Sequence, residues 1–432
     1  MHVTGIITEY NPFHKGHQYQ IAQIHKKHPD AAILAVMSGS IVQRGQPALL
    51  NKWLRAELAV RGGCDLVLEL PFAFACRSAQ DFARGGVALL SRLGIVDTLA
   101  FGAETADLDA LQGAAAAIDL PALQAALHER IAGGESYATA LSAALLAKHT
   151  AVQAEMLRQP NNILAIEYLR ALRQYASSIR PLLILRTGAG YHDTDITAPK
   201  ASASAVRALL EKAAASVRNA DGRTLIAALS DKDCLALKNA LPSASWQAIC
   251  QLSADNLPNP DRLLLPLQTL LLRSSLPELQ SIYGISEGLE NRIANFAAKA
   301  SNTRQLIQSA ATKRYPASRI ARTLIWLLLG VHRELIARMD EAGPLYARVL
   351  AASLRGRSLL HDIKKAGTIP LIAKTGSFLT TAQRTQGMNT LSTFQQQLAL
   401  DTLATELRQL AVPAAGVALN DFQQSPLFIS SS

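Results

Sequence analysis

The chain begins with a short, wholly apolar run, Val3–Ile7, which stops at polar residues. Apolar positions then recur at helical spacing from His17 to Lys27. The alternation repeats. Ala32–Met37, Leu66–Leu70, Thr98–Phe101 and Leu182–Leu185 are apolar runs of strand length. Asn51–Arg61, Ser78–Leu93 and several Ala-rich segments between 105 and 174 read as amphipathic helices. Continuous apolar runs suit strands covered by helices on both faces. The pattern therefore predicts right-handed crossovers and a parallel sheet over residues 1–216. Beyond that point strand signals largely stop. Segments 222–250, 260–280, 287–311, 317–340, 344–356 and 391–411 read as helices, broken by "LPNP", "GISEG" and "EAGP", and 367–374 reads as a short strand. The expected organisation is an α/β part over 1–216 and a mainly helical part over 217–432.

Ligands of open parallel sheets sit outside the carboxyl ends of the strands. That directs interest to Asn11–His17, Ser38–Gly45, Gly102–Glu104 and Arg186–His192. The first is the richest: "EYNPFHKGH" places His14 just before a helix and His17 in its first turn, with Gly16 permitting close backbone approach. A helix N-terminus offers unpaired N–H groups and partial positive charge, and so attracts phosphate. Two imidazoles there add donors for charge that grows on an α-phosphate during in-line displacement. Two histidines alone are a weak signal, and strand, bend, His-x-Gly-His and helix together carry the argument. Metal binding is the competing reading, but spacing supplies no third ligand.

Composition adds limits. Hydrophobic residues make up 49% and charged residues 18% of 432, enough for packed cores. The four cysteines, Cys64, Cys76, Cys234 and Cys250, show no paired short spacing and are expected to be reduced and buried rather than bridged. The N-terminus has no signal-peptide pattern. The longest apolar runs, such as "TLIWLLLGV", fall well short of the roughly 18–20 residues that span a bilayer. The expectation is a soluble cytoplasmic chain with no membrane partner. Net charge is +10, and part of it is concentrated in "TKRYPASRIARTL" at 312–324. There Lys313, Arg314, Arg319 and Arg322 surround Tyr315, and Arg319 and Arg322 share a helical face. The alternatives are contact with a nucleic-acid backbone and a merely solvated face.

"HKGH" after the first strand resembles the signature of the nucleotidyltransferase superfamily, whose members attack the α-phosphate of ATP and release pyrophosphate. Their second motif, a Ser/Thr-rich turn opening a late helix and ending in Arg, resembles "KASASAVRALL" at 200–210. The order of "SGSIVQRGQPALLNKWLRAELAVRGGCDLVLELP", "SAQDFARGG", "FGAE", "QPNNILAIEYLRAL", "RTGAGYHD", "TKRYPASRIAR" and "HDIKKAGTIPLIAK" narrows the likeness. It is similar to the bacterial tRNA(Met) cytidine acetate ligase family, over nearly the whole chain to "DFQQSPL".

The resemblance implies a Rossmann-like nucleotidyltransferase domain over 1–216 and a basic, mainly α-helical tRNA-binding region over 217–432. It implies that acetate and ATP form acetyl-adenylate, whose acetyl group passes to N4 of the wobble cytidine of elongator tRNA(Met). His14 and His17 would be catalytic. The ATP site would comprise Ile7, Thr8, Glu9, Tyr10, Asn11, Pro12, Phe13, His14, Lys15, Gly16, His17, Gln18, Tyr19 and Gln20. Gly102, Asn162 with its neighbour Asn161, Arg186, Ser202, Ser204 and Arg207 would complete it. Lys15 receives no catalytic role. Gly102 would let the nucleotide lie against the backbone, an Asn amide suits an adenine or ribose edge, and Arg186 can grip phosphate. Serine at 202 also suits a helix cap. Lys313, Arg314, Arg319 and Arg322 would contact tRNA. Magnesium would be shared among the phosphates, with no metal-ligand set of the protein's own.

Two departures stand out. Asn51 replaces an acid expected before "KW", and Ser40-Ile41 replace an Asn-aromatic pair. If the missing carboxylate positioned magnesium or acetate, metal dependence or turnover would change. Two rivals remain. One is a nucleotidyltransferase for a small phosphorylated metabolite, which needs little beyond residue 216. The other is a non-catalytic RNA-binding protein with a relict nucleotide site.

Overall fold

The computed structural model describes residues 1–135, 137–148, 156–157, 159–175, 178–186, 202–217, 224–413 and 420–430. Five parallel strands form the centre of its sheet: β1 (Val3–Thr8), β2 (Ala32–Ser38), β3 (Leu66–Leu70), β4 (Thr98–Ala103) and β5 (Arg180–Leu185), in the spatial order β5-β4-β1-β2-β3. Strand periodicity sorts each run between two cores. Ala32, Leu34 and Val36 of β2 join one core, with helices Ala79–Arg92 and Pro160–Gln174. Ile33, Ala35 and Met37 face the other, with helices Lys15–Lys27 and Lys52–Arg61. The strand order reverses between β1 and β4. That crevice is where an open α/β sheet binds ligands.

The second half corrects the expectation. Residues 344–356, read as helix, instead hold β6 (Ala347–Ser353), which pairs antiparallel with β3. β7 (Leu371–Ile372) and β8 (Leu427–Ile429) then pair parallel with β6. The sheet is thus mixed, and it does not end at residue 216. Ala-rich "ARVLAAS" has a helical composition, but every residue of it except Ser353 is buried between covering elements, and its backbone groups pair with β3. Propensity yields to tertiary pairing here.

Buried charges tie the two halves together. Lys52 Nζ sits 2.8 Å from Glu69 and 2.6 Å from Asp421, and Arg348 pairs with both carboxylates. Burial alone would raise the pKa of Asp421, but Arg348 and Lys52 overturn that and hold it below the usual carboxylate value. Asp401 is buried nearby, accepting from Phe72 N at 2.7 Å and from Tyr346 Oη at 2.5 Å; burial, then Glu69, raises its pKa.

Helices between 264 and 342 lie over the carboxyl edge of the sheet. Trp326 Nε1 donates to the Cys76 carbonyl at 3.2 Å, and Arg77 reaches Asp340 at 3.0 Å. Gly45, at φ +74°, lies so close to helix Ala317–Leu328 that a Cβ there would stand 2.5 Å from Arg322 N. Cys64, Cys76, Cys234 and Cys250 are all free thiols. Among the described residues, no single helix is long and apolar enough to cross a membrane.

Candidate active site

Helix Lys15–Lys27 starts with a cap made by two histidines. His14 Nδ1 accepts from Gly16 N at 3.0 Å, and His17 Nδ1 accepts from His14 N at 3.2 Å. The rings stack with centroids 3.8 Å apart. Gly16 is needed because a Cβ would stand 2.7 Å from His14 Cε1. A ring nitrogen that accepts carries no proton, so each neutral imidazole keeps its N–H at Nε2. Burial, then Arg186 and Arg207, pushes the His14 pKa down to about 3. Burial, then His14 and Arg186, also holds His17 well below 6.5. The pair is therefore neutral at physiological pH and offers two N–H donors without adding charge.

Both rings line one cavity of about 1020 Å³. From the first segment, Ile7, Thr8, Glu9, Tyr10, Asn11 and Gln20 line it too. The remaining expected contacts of this segment are not among the lining residues. Phe13 is fully buried against the edge of Gly62, and Lys15 and Gln18 are exposed. Pro12, Gly16 and Tyr19 support the turn and helix rather than the cavity wall. Tyr10, at φ +46°, packs edge-on against His17 with ring centroids 4.8 Å apart. Asn11 Oδ1 accepts from Leu49 N at 2.8 Å, and its carbonyl accepts from Arg207 at 2.7 Å.

The adjacent asparagines separate. Asn161 lines the cavity and donates from its amide to Glu104. Asn162 does not reach it: the residue is wholly buried, Oδ1 accepts from Glu104 N and Thr105 N, and Nδ2 donates to Gln159. The expected ligand contact at Asn162 is thus corrected to a clamp on the turn after β4. Gly102 lines the cavity, and a Cβ there would stand 3.1 Å from Arg186 Cγ, so the missing side chain makes room for that arginine.

Gly102, Arg186, Ser202, Ser204 and Arg207 all line the cavity. Ser202 Oγ accepts from Ala205 N at 3.1 Å as a cap of helix Ala203–Val217, and Ser204 accepts from Arg207 at 3.1 Å. The rest of the "RTGAGYHD" motif after Arg186, and Lys200-Ala201, lie outside the described residues.

The basic segment reaches the same cavity from the helical side. Arg314, Arg319 and Arg322 line it, whereas Lys313 is exposed elsewhere. Arg314 pairs with Glu287, and Arg319 donates to Ser286 at 3.1 Å while lying over the Tyr315 ring. The sequence placed this stripe in a separate region, but the fold sets it across from the histidines. Gln43, within the Ser38–Gly45 segment singled out by the strand-end rule, lines the cavity, and so do Arg77 and Tyr283, which sequence reasoning missed. The same rule points to Arg77, since it follows β3. No local signal marks Tyr283.

The two departures have structural explanations. Asn51 is not a lining residue, and its Oδ1 accepts from Leu54 N at 2.9 Å as a helix cap, a task Asn and Asp share. Ser40 Oγ meets Thr405 Oγ1 at 3.0 Å, and Ile41 is fully buried. No group of three His, Cys, Asp or Glu side chains suited to a metal occurs among the described residues.

The chain is similar to proteins of known family. Residues 1–421 match the HIGH Nucleotidyl Transferase family. The tRNA(Met) cytidine acetate ligase of Syntrophotalea carbinolica is 39% identical over 90% of this chain and 88% of its own length. That of Acetivibrio thermocellus is 37% identical over 88% and 89%. A crystal structure of Thermotoga maritima TmcAL without ligand superposes with TM-score 0.86 at 28% identity, covering 100% of both chains. The same protein bound with alpha-thio ATP gives TM-score 0.85 at 27% identity, again over 100% of both chains.

Proposed function

Since the chain belongs to the HIGH Nucleotidyl Transferase family and to the tRNA(Met) cytidine acetate ligases within it, we propose that it acetylates N4 of the wobble cytidine of elongator tRNA(Met), using ATP and acetate. The observation that carries this reading is the neutral histidine pair, whose two N–H donors face a cavity shared with a basic helix.

In the first step an acetate oxygen attacks the α-phosphorus of ATP and pyrophosphate leaves. His14, His17 and the helix N-terminus stabilise charge on the α-phosphate, while Arg186, Arg207 and Ser204 hold the β- and γ-phosphates. Neutral donors placed where charge grows favour the transition state over the ground state. In the second step the cytidine amine attacks the acetyl carbonyl of the mixed anhydride, loses a proton, and AMP leaves. An exocyclic amine conjugated to its ring is a poor nucleophile, so an activated acyl group held beside it matters. The described residues do not form a magnesium cage, and no step depends on one.

The shared cavity also bears on the rivals. A small-metabolite transferase has no use for a wall of arginines contributed by residues 314–322. The test is mass spectrometry of tRNA(Met) nucleosides after incubation with ATP, labelled acetate and the protein. Label in N4-acetylcytidine is expected. Pyrophosphate exchange that ignores acetate but responds to a phosphorylated metabolite refutes the reading, and absence of any ATP turnover favours the relict-site rival.

A further inference from the structure

We propose that Arg322 recognises the acceptor base: its guanidinium fork donates to O2 and N3 of cytosine and thereby aims N4 at the activated acetyl group. The inference rests on the function proposed above.

Most arginines around the cavity are committed to protein partners. Arg77 is held by Asp81 and Asp340, Arg333 by the Gln280 and Ile285 carbonyls, Arg207 by Asn11 and Ser204, and Arg319 by Ser286. Arg322 lines the cavity with no hydrogen bond or ion pair to any described residue. It is half-buried, and burial lowers its pKa without discharging it. A guanidinium withdrawn from water with unspent donors is costly, so the site is built for a ligand that brings acceptors.

Its position is fixed and its surroundings select the ligand. The backbone at Arg322 is wedged against Gly45, in the loop after β2. Tyr283, partly exposed on its wall and propped edge-on against buried Trp326 with ring centroids 5.3 Å apart, offers apolar surface for a planar base. The carboxylate of Asp81 lies within electrostatic reach of Arg322 but is already held by Arg77, so it leaves the guanidinium fork free for a neutral base edge. Cytosine presents two adjacent acceptors, O2 and N3, which match a guanidinium fork. Uracil presents an N3–H donor at the same place and is rejected. Donation to O2 and N3 also makes the N4 proton more acidic, easing its loss once the amine attacks.

The experiment uses the full chain and two tRNA(Met) transcripts, one with cytidine and one with uridine at the wobble position, the latter as a competitor. Wild type is expected to prefer cytidine by roughly tenfold or more, as for one bidentate base contact. Arg322→Lys keeps the charge but loses the fork. It should collapse that preference toward one and slow acetyl transfer at saturating tRNA, with acetate-dependent pyrophosphate exchange retained. Arg322→Ala should do the same. An unchanged preference in Arg322→Lys overturns the proposal. So does a lowered salt dependence of tRNA binding with the preference intact, which marks a backbone contact, and so does loss of exchange, which marks an ATP contact. If wild type itself forms no N4-acetylcytidine, the proposed function fails instead.

Discussion

Replacing His14 with Asn separates two jobs that one side chain performs. His14 Nδ1 caps the helix by accepting from Gly16 N, and Nε2–H is its remaining donor. An Asn Oδ1 can cap the same N–H, but Asn cannot place a donor where the imidazole edge lies. His14→Ala loses both, and a lost cap costs about 1 kcal/mol of stability. His14→Asn is expected to keep the cap and lose the donor, lowering acetate-dependent pyrophosphate exchange by about 10²–10³-fold. The pH dependence adds a second readout. The unfolded histidine takes up a proton near pH 6.5, but the folded one only near pH 3. The unfolded state binds more protons between these values, so stability is full above pH 6.5 and falls with falling pH at about 1.4 kcal/mol per unit. His14→Asn removes that contribution and leaves the one made by His17. Chemical denaturation at several pH values and exchange assays at pH 7 test both. Exchange within threefold of wild type, or an unchanged acid limb, refutes the assignment.

Gly16→Ala should push the His14 ring out of its cap, because the new Cβ would stand 2.7 Å from Cε1, and exchange should fall about 10–100-fold; wild-type exchange contradicts it. Asp421→Asn leaves Lys52 and Arg348 short of a buried counter-charge and should cost about 3–5 kcal/mol in denaturant titrations. A loss under about 1 kcal/mol contradicts that network role. Replacing Arg314 and Arg319 together with Ala should change stability by no more than about 1 kcal/mol, since the Arg314–Glu287 pair is exposed. It should reduce the magnitude of the salt slope of tRNA binding by about 1–2; an unchanged slope in a folded variant removes these residues from the RNA surface.

The parallel half of the sheet was legible because its strands are unbroken apolar runs separated by amphipathic segments, and the strand-end rule then found the histidines. β6 was not legible, since a seven-residue apolar run rich in alanine has no period that distinguishes helix from strand. Only its partner β3, some 280 residues earlier, decides the matter. The ambiguity between Asn161 and Asn162 could have been resolved from helix phase. Asn162 shares the buried stripe of Ala165, Ile166 and Leu169, three, four and seven positions on, while Asn161 faces away from it. The union of histidines and basic stripe was invisible because no local pattern encodes where a distant helix lands.

The return of residues 347–429 to the sheet bears on how the protein is synthesised. When β3 leaves the ribosome, its partner strand and Asp421 are still untranslated. The strand follows after about 280 residues and Asp421 after about 350, roughly 14–56 s and 18–70 s at common elongation rates. Through that interval β3 is an open edge, ready to pair with the wrong chain, and Lys52 and Glu69 lack Arg348 and Asp421. Chaperones or delayed collapse of the first half guard a nascent chain against that hazard. The late pairing also bears on fragments. A chain interrupted before residue 421 lacks the buried counter-charge, so it should not persist as a half-enzyme that consumes ATP without delivering an acetyl group.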